Sequence, residues 1–176
     1  MEIIEALHSR RTVRSFTTKP VSQDILKQIV DAARYSPSGA NRNPWRFIVT
    51  TDRTKLESLS QTQQFCKWFS SAQAAIVVAG DPAGSPYWLE DCCLAAYSIF
   101  LSGLAHGIGV AWAAIYQSNN PAEDTRRQDY VRGIFSIPQE LKVPVVLALG
   151  YPQNPPQPRK MPALEEVVSW EKYGQK

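Results

Sequence analysis

The sequence predicts a single α+β domain built around a mixed β-sheet. Three observations favour this fold class: a length of 176 residues, an apolar fraction of 44%, and helical and strand-like patterns that intermix without strict alternation. A chain of this length can bury roughly two-thirds or more of its unfolded surface, and its apolar content excludes a disordered chain. Since no internal repeat or interdomain linker is found, we expect one domain over residues 1–176.

The first two predicted elements are amphipathic helices over residues 2–9 and 23–35. The first carries apolar side chains on one side, and Ser22 can cap the second by accepting a backbone hydrogen bond. The apolar face of the second helix is formed by Ile25, Ile29, Ala32 and Ala33. Pro37 ends this helix, because the residue before a proline disfavours the helical region.

The remaining elements follow from apolar runs and their boundaries. Strands are predicted over 45–51, 74–80, 109–116 and 143–150. Helical stretches are predicted over 54–60, 63–70, 87–106, 123–135 and 163–170. Residues 151–162 contain five prolines, a composition that favours an extended segment, so we expect 151–176 to form a C-terminal arm.

The longest predicted helix, 87–106, lies largely within a stretch that contains no Asp, Glu, Lys or Arg from 92 to 122. Polar and glycine residues interrupt this stretch, whereas a membrane-spanning helix needs about 20 mainly apolar residues. A glycine stop at Gly107 is expected. A helix without charge on any face is buried on all sides, which in a chain this short predicts the central helix of a homodimer and no membrane association.

The formal net charge of +3 hides an uneven distribution. Ten of the 19 Lys and Arg residues lie in three windows free of Asp and Glu, 6–23, 32–51 and 141–164, and the rest of the chain carries a net charge of −7. These windows suit an anionic ligand, although chance clustering on a solvated surface gives the same pattern. A binder of nucleic acid is more often basic throughout, so none is expected as a partner.

The cysteines and the N-terminus favour the cytoplasm. Three cysteines, an odd number without paired spacing, argue against a secreted disulfide framework, and two histidines offer too few ligands for a zinc site. Acidic residues occupy the start of the chain, where a signal peptide has a basic region. The sequence also lacks a complete dinucleotide fingerprint, a Walker A motif and a nucleophile elbow.

Two segments carry the candidate site. Residues 9–16, Ser-Arg-Arg-Thr-Val-Arg-Ser-Phe, place three guanidinium groups within five residues, and such groups match phosphate oxygens in bidentate geometry. The alternative for this segment is an exposed basic turn. Residues 36–45, Ser-Pro-Ser-Gly-Ala-Asn-Arg-Asn-Pro-Trp, form a loop whose polar groups could contact the edge of a planar heterocycle, or else an ordinary helix-to-strand turn.

Taken together and in this spacing, the two segments resemble the FMN-dependent nitroreductase family. The later sequence is also similar, with Asp91 opening an Ala-rich helix, a Gly-Ile-Gly run at 107–109 before Trp112, and Gly-Tyr-Pro at 150–152 before a basic, proline-rich tail. The resemblance implies a nitroreductase-like fold, in which a central mixed, mainly antiparallel sheet is flanked by helices in an intertwined homodimer. It also implies one FMN at each end of the subunit interface.

The resemblance further implies which residues bind FMN. One subunit would contribute Arg10, Arg11, Thr12 and Arg14, with Arg10 at the phosphate and Arg14 near the pyrimidine edge of the flavin, and its partner would contribute Pro37, Ser38, Gly39 and Asn41. The basic pair after the last strand would be Arg159 and Lys160. This sequence departs from the usual family pattern at Gly39 and Asn43, and Phe65 and Trp68 stand where the family has Asn and Lys. Lys67 is adjacent.

By the same resemblance, NADH or NADPH would reduce FMN and leave before an electron-poor small molecule, such as a nitroaromatic or a quinone, takes the electrons in a ping-pong cycle. We expect no catalytic nucleophile or proton donor from the protein, and Arg14 as the cation that stabilises reduced flavin. Two alternatives remain: a specialised flavoprotein of the same fold, which dehalogenates, dehydrogenates or processes flavin, and a non-enzymatic module that binds anions or nucleic acid.

Overall fold

The computed structural model describes residues 2–117, 119–155, 157 and 159–175, which form six α-helices and four β-strands. The helices are α1 (Ile3–Ser9), α2 (Gln23–Ala33), α3 (Arg53–Leu59), α4 (Trp88–Ala105), α5 (Pro121–Phe135) and α6 (Leu164–Val167). The strands are β1 (Trp45–Thr50), β2 (Ala74–Gly80), β3 (Gly109–Ala114) and β4 (Lys142–Gly150). Single 3-10 turns occur at Gly39–Asn41 and Lys67–Ser71.

The four strands form one sheet in the order β1-β2-β4-β3, and every neighbouring pair is antiparallel. The parallel contribution comes from outside the strands, where Thr12 forms a single parallel bridge with Val110 of β3. The predicted α+β class and the mainly antiparallel sheet are therefore confirmed.

Helices pack on both faces of the sheet and bury its two central strands, β2 and β4, almost completely. Every residue of β2 is buried, which explains why this strand reads as an uninterrupted apolar run in the sequence. Apolar residues of α2 and α4 form the core on one face, and residues of α3, α5 and the second 3-10 turn form it on the other.

The helices follow the expected signals, with three differences: one in a buried face, one in the type of turn and one in length. The Ser22 hydroxyl accepts the Ile25 backbone N–H at 3.3 Å, and Gly107, with φ of +70°, follows α4 as the expected glycine stop. The exposed position of Ala32 corrects its assignment to the apolar face of α2, where Leu26 is buried instead. The stretch 63–70 contains a 3-10 turn in place of a helix, and the terminal helix shortens to α6.

Helix α4 is long and apolar enough by length and composition to cross a membrane, yet it packs inside this fold. It contacts α2 and all four strands through residues such as Ala95, Ala96 and Ile99. The chain does not cover it completely, because Leu94 is 46% exposed and Tyr97 is 37% exposed. These two side chains mark the uncovered face of α4.

Candidate cofactor site

A basic cleft of about 520 Å³ lies at the C-terminal end of α1 and is lined in part by Arg10, Arg11 and Arg159. A smaller cavity of about 140 Å³ shares Arg10 and Arg11 with it and reaches Gly107 and Gly109. Arg159 therefore meets the adjacent pair Arg10 and Arg11, which is far from it in the sequence, around one opening. We call this opening the basic cleft.

Arg10 and Arg11 have different roles in the cleft. Arg10 follows the last turn of α1, and its guanidinium lies over the Phe100 ring of α4, 5.1 Å from the centroid. Arg11 donates to three backbone carbonyls, those of His8 at 2.7 Å, Arg10 at 2.8 Å and Gln157 at 2.9 Å. Arg11 thus ties the C-terminal arm to the end of α1.

Two glycines that face each other across β3 and β4 fix the path of the segment that follows. Gly109 pairs with Gly150, and a Cβ on Gly109 would lie 2.7 Å from the Val13 Cβ. A Cβ on Gly150 would lie 2.9 Å from the Phe16 ring. Because neither glycine has a side chain, residues 12–16 lie directly against the ends of both strands, and the Val13 N–H donates to the Val110 carbonyl at 3.0 Å.

Seven arginines lie in the three acid-free windows, and they divide into two groups. The side chains of four donate hydrogen bonds to protein groups, namely Arg11, Arg34, Arg42 and Arg46. Arg10, Arg14 and Arg159 make no side-chain hydrogen bond or ion pair with any other residue that the structure describes. Arg10 and Arg159 line the basic cleft, and Arg14 is exposed in the segment that the glycines hold in place.

The loop formed by residues 38–43 is not an ordinary turn. Ala40, Asn41 and Asn43 have φ values of 50°, 55° and 49°, a region that residues other than glycine rarely adopt. The Ser38 hydroxyl accepts the Asn43 N–H at 2.9 Å and closes the loop. The departure at Gly39 has a local cause, because a Cβ there would clash with the Tyr87 ring.

The structure places the two groups of predicted site residues at opposite ends of α4. The 38–43 loop is attached near the N-terminus of α4, where the Gly39 N–H donates to the Asp91 carboxylate at 3.0 Å. The basic cleft lies near its C-terminus, where Arg10 contacts Phe100. Phe100 follows Asp91 by nine positions in the α-helix, which corresponds to about 14 Å along the axis. Pro37, Ser38, Gly39 and Asn41 therefore do not line the cleft of their own chain.

The other sequence candidates are placed as follows. Arg159 lines the basic cleft, whereas its neighbour Lys160 is exposed and lies outside the lining. The Lys67 ammonium donates to the Gln61 side chain at 2.8 Å, and Phe65 is exposed. The sequence did not identify Phe100 as a neighbour of Arg10, nor Tyr87 as the side chain that leaves no room for a Cβ at position 39. No local pattern links residues so distant in the chain.

The strongly shifted titratable groups lie away from the basic cleft. Burial raises the pKa of Cys66 to about 11 and that of Cys92 to about 12, so both thiols stay protonated at neutral pH. Hydrogen bonds from Arg126 and Arg127 lower the pKa of Glu123 to about 2. Over the described part of the chain, no group of three or more His, Cys, Asp or Glu residues is arranged to hold a metal ion.

Comparison with known proteins identifies the family to which this chain belongs. A sequence profile described as the nitroreductase family matches residues 7–64, which include both the basic segment and the 38–43 loop. A protein from Archaeoglobus fulgidus, provisionally named NADH dehydrogenase/NAD(P)H nitroreductase, is 34% identical over 87% of each chain. A Methanothermobacter thermautotrophicus protein of the same name is 32% identical over 92% of this chain and 83% of its own.

Solved structures agree with the sequence relatives. An FMN-dependent nitroreductase from Clostridium difficile R20291 superposes with a TM-score of 0.88 at 27% identity and covers 97% of this chain and 100% of its own. The fold is thus that of the flavin-dependent nitroreductases. The chain belongs to the nitroreductase family.

The glycine pair generates a prediction about stability. Gly109→Ala is expected to lower the free energy of unfolding by about 1–3 kcal/mol, because the new methyl group must displace Val13. Gly133→Ala is the matched control, since a Cβ there meets nothing within 4 Å inside α5, and it should stabilise the protein by about 0.5–1 kcal/mol. Urea unfolding measures both variants. Equal stability of Gly109→Ala and the wild type would contradict the close approach.

Proposed function

We propose that the protein is an FMN-dependent oxidoreductase that passes electrons from NADH or NADPH, through bound FMN, to an electron-poor small molecule. The observation that carries the proposal is the division among the arginines. The side chains of Arg10, Arg14 and Arg159 make no hydrogen bond to another described residue. Arg10 and Arg159 line the basic cleft, whose volume of about 520 Å³ exceeds that of a phosphate group. Uncommitted guanidinium groups in a cleft are suited to an anionic ligand. Family membership makes FMN the ligand of choice.

The position of the two residue groups supports a homodimer as the active form. Because the 38–43 loop and the basic cleft lie at opposite ends of α4, they meet only if a second chain is related by a two-fold axis across the middle of α4. That arrangement brings the N-terminal end of one α4 beside the C-terminal end of the other. It also covers the exposed side chains of Leu94 and Tyr97. One FMN would then lie at each end of the interface.

The C-terminal arm also supports the dimer. Beyond residue 160 it exposes a series of large apolar side chains, each at least 60% accessible in the single chain. These side chains are Met161, Leu164, Val167, Trp170 and Tyr173. Such a run needs a covering surface, and we infer that the arm extends over the partner subunit.

Individual residues would then have the following roles. Arg10 and Arg159 hold the phosphate in the basic cleft, with Lys160 and Thr12 nearby, and Arg11 positions the arm around it. Arg14 would lie beside the flavin ring and would place a fixed positive charge there. The loop residues Pro37, Ser38, Gly39 and Asn41 of the opposite chain complete the site.

FMN and the protein would contribute different parts of the chemistry. FMN, when bound, supplies reversible hydride acceptance, and the protein supplies binding, orientation and electrostatics. The guanidinium groups of the cleft would hold the phosphate end and so would help to orient the ring. Arg14 stabilises negative charge that develops on the pyrimidine edge. Since the protein needs no nucleophile or proton donor for this, no catalytic side chain is assigned. We place this activity in the cytoplasm.

Purification tests the proposal directly. The purified protein is expected to be yellow, or to take up one added FMN per chain, and to oxidise NADH or NADPH in the presence of a quinone or a nitroaromatic. The measurements are a visible absorbance spectrum and steady-state kinetics. Tight FMN binding without nicotinamide oxidation would favour a specialised flavoprotein of this fold. Protein that binds no FMN would contradict the proposal, and strongly salt-dependent binding of nucleic acid would replace it.

Arg10→Ala is expected to weaken FMN binding by about tenfold or more, the usual effect of removing a hydrogen bond to a charged group. Arg34→Ala is the matched control: Arg34 lies in another acid-free window but pairs with Asp31 on the exposed face of α2. Its affinity for FMN should stay within about twofold of the wild type, since an exposed pair contributes little. Fluorescence titration with FMN measures both. Equal losses in the two variants would contradict the assignment of the cleft.

Arg14→Ala is expected to slow flavin reduction and to lower the flavin reduction potential, because the reduced flavin loses a nearby positive charge. Arg14→Lys should restore most of both properties, since it retains the charge. Stopped-flow reduction with NADH or NADPH and a spectroscopic redox titration provide the values. An unchanged potential in Arg14→Ala would show that this guanidinium does not face the ring.

A further inference from the structure

Asp91 is a buried acidic residue that the roles above do not use. Its side chain is only 3% exposed, and it forms no ion pair with another described residue. Its two oxygens accept different hydrogen bonds: one from the Gly39 backbone N–H at 3.0 Å, and the other from the Ser85 hydroxyl at 3.0 Å. A buried carboxylate is costly unless its oxygens are satisfied, so this arrangement depends on both partners.

The Gly39 end of this contact belongs to the strained part of the 38–43 loop. Three of its residues have positive φ angles, Ala40, Asn41 and Asn43. Such a conformation persists only when the surrounding structure fixes it. The surroundings are the chain segment that leads into α4. Arg42 donates to the Gly84 carbonyl at 3.1 Å, and the Ser85 hydroxyl also accepts the Tyr87 N–H at 3.2 Å.

We propose that Asp91 is a positioning residue for the flavin bound by the opposite subunit. Through the Gly39 amide, its carboxylate holds the 38–43 loop in the conformation that reaches across the interface, while Ser85 holds the carboxylate. This inference rests on the proposed function, because the loop of one chain serves the FMN of the other. Asp91 itself contacts the loop through the Gly39 N–H, and this role needs no contact between Asp91 and the cofactor.

Substitutions at Asp91 separate positioning from general stability. Asp91→Ala removes the acceptor for Gly39 and is expected to weaken FMN binding by about tenfold or more. Asp91→Asn keeps an oxygen that can accept the Gly39 N–H and should bind FMN within about threefold of the wild type. Asp52→Ala is the matched control, because Asp52 also accepts backbone N–H groups, those of Thr54 and Lys55, but caps α3. It should lower the melting temperature and leave FMN affinity unchanged.

A mixed dimer tests whether Asp91 acts on the partner's flavin. Asp91→Ala and Arg10→Ala chains carrying different affinity tags are co-expressed, and the heterodimer is purified through both tags. One of its two sites then combines both wild-type halves, and the other combines both defects. We expect one FMN per heterodimer to bind with wild-type affinity, although each homodimeric variant binds weakly. Fluorescence titration gives the two affinities.

The outcomes separate the inference from the function on which it rests. Wild-type protein that binds no FMN overturns both. If the wild type binds FMN, then wild-type affinity in Asp91→Ala, or a heterodimer without a high-affinity site, overturns the positioning role alone. Should Asp91→Ala fail to fold, Ser85→Ala takes its place, since it keeps the carboxylate and removes its hydroxyl partner, together with the acceptor for the Tyr87 N–H. It is expected to weaken FMN binding severalfold, and Ser85→Ala with wild-type affinity also overturns the role.

Discussion

The close approach of residues 12–16 to the sheet is the constraint on which the basic cleft depends. It requires two glycines that face each other, Gly109 and Gly150, at the ends of the strands β3 and β4. Without side chains there, Val13 and Phe16 lie directly against the strands, and the short stretch between α1 and α2 becomes part of the sheet edge. The guanidinium groups of Arg10 and Arg14 are therefore carried by backbone that the core holds, rather than by a free loop.

Helix α4 determines how far apart the two groups of candidate site residues lie in one chain. Its 18 residues correspond to about 27 Å, and its two ends serve different tasks. Near the N-terminus, Asp91 holds the 38–43 loop, and near the C-terminus Phe100 supports Arg10. Residues such as Ala95, Ala96 and Ile99 of this helix are buried in the core, while Leu94 and Tyr97 remain exposed. One helix thus accounts for the uncharged stretch of sequence and lies at the centre of the dimer that we propose.

Much of the fold was predictable because its signals are local. The run 74–80 matches β2 residue for residue, Ser22 caps α2, and Gly107 follows the end of α4. The conformation of the 38–43 loop was not predictable, since an alanine occupies a position with positive φ where a glycine or asparagine is the usual signal. The same holds for the contact between Gly39 and Asp91, which joins residues 52 positions apart.

Charge placement needed the structure before it could be interpreted. All three acid-free windows contain arginines, but the windows do not make those arginines equivalent. Arg34 pairs with Asp31, one residue outside its window, and Arg46 donates to the carbonyl of Trp45. The guanidinium groups that make no such bond within the described residues are those of Arg10, Arg14 and Arg159. A guanidinium that already donates to a protein group is less available to bind an anion. The number of positive charges in a window therefore overestimates how many can bind a ligand, and the hydrogen-bond partners of each arginine tell the two groups apart.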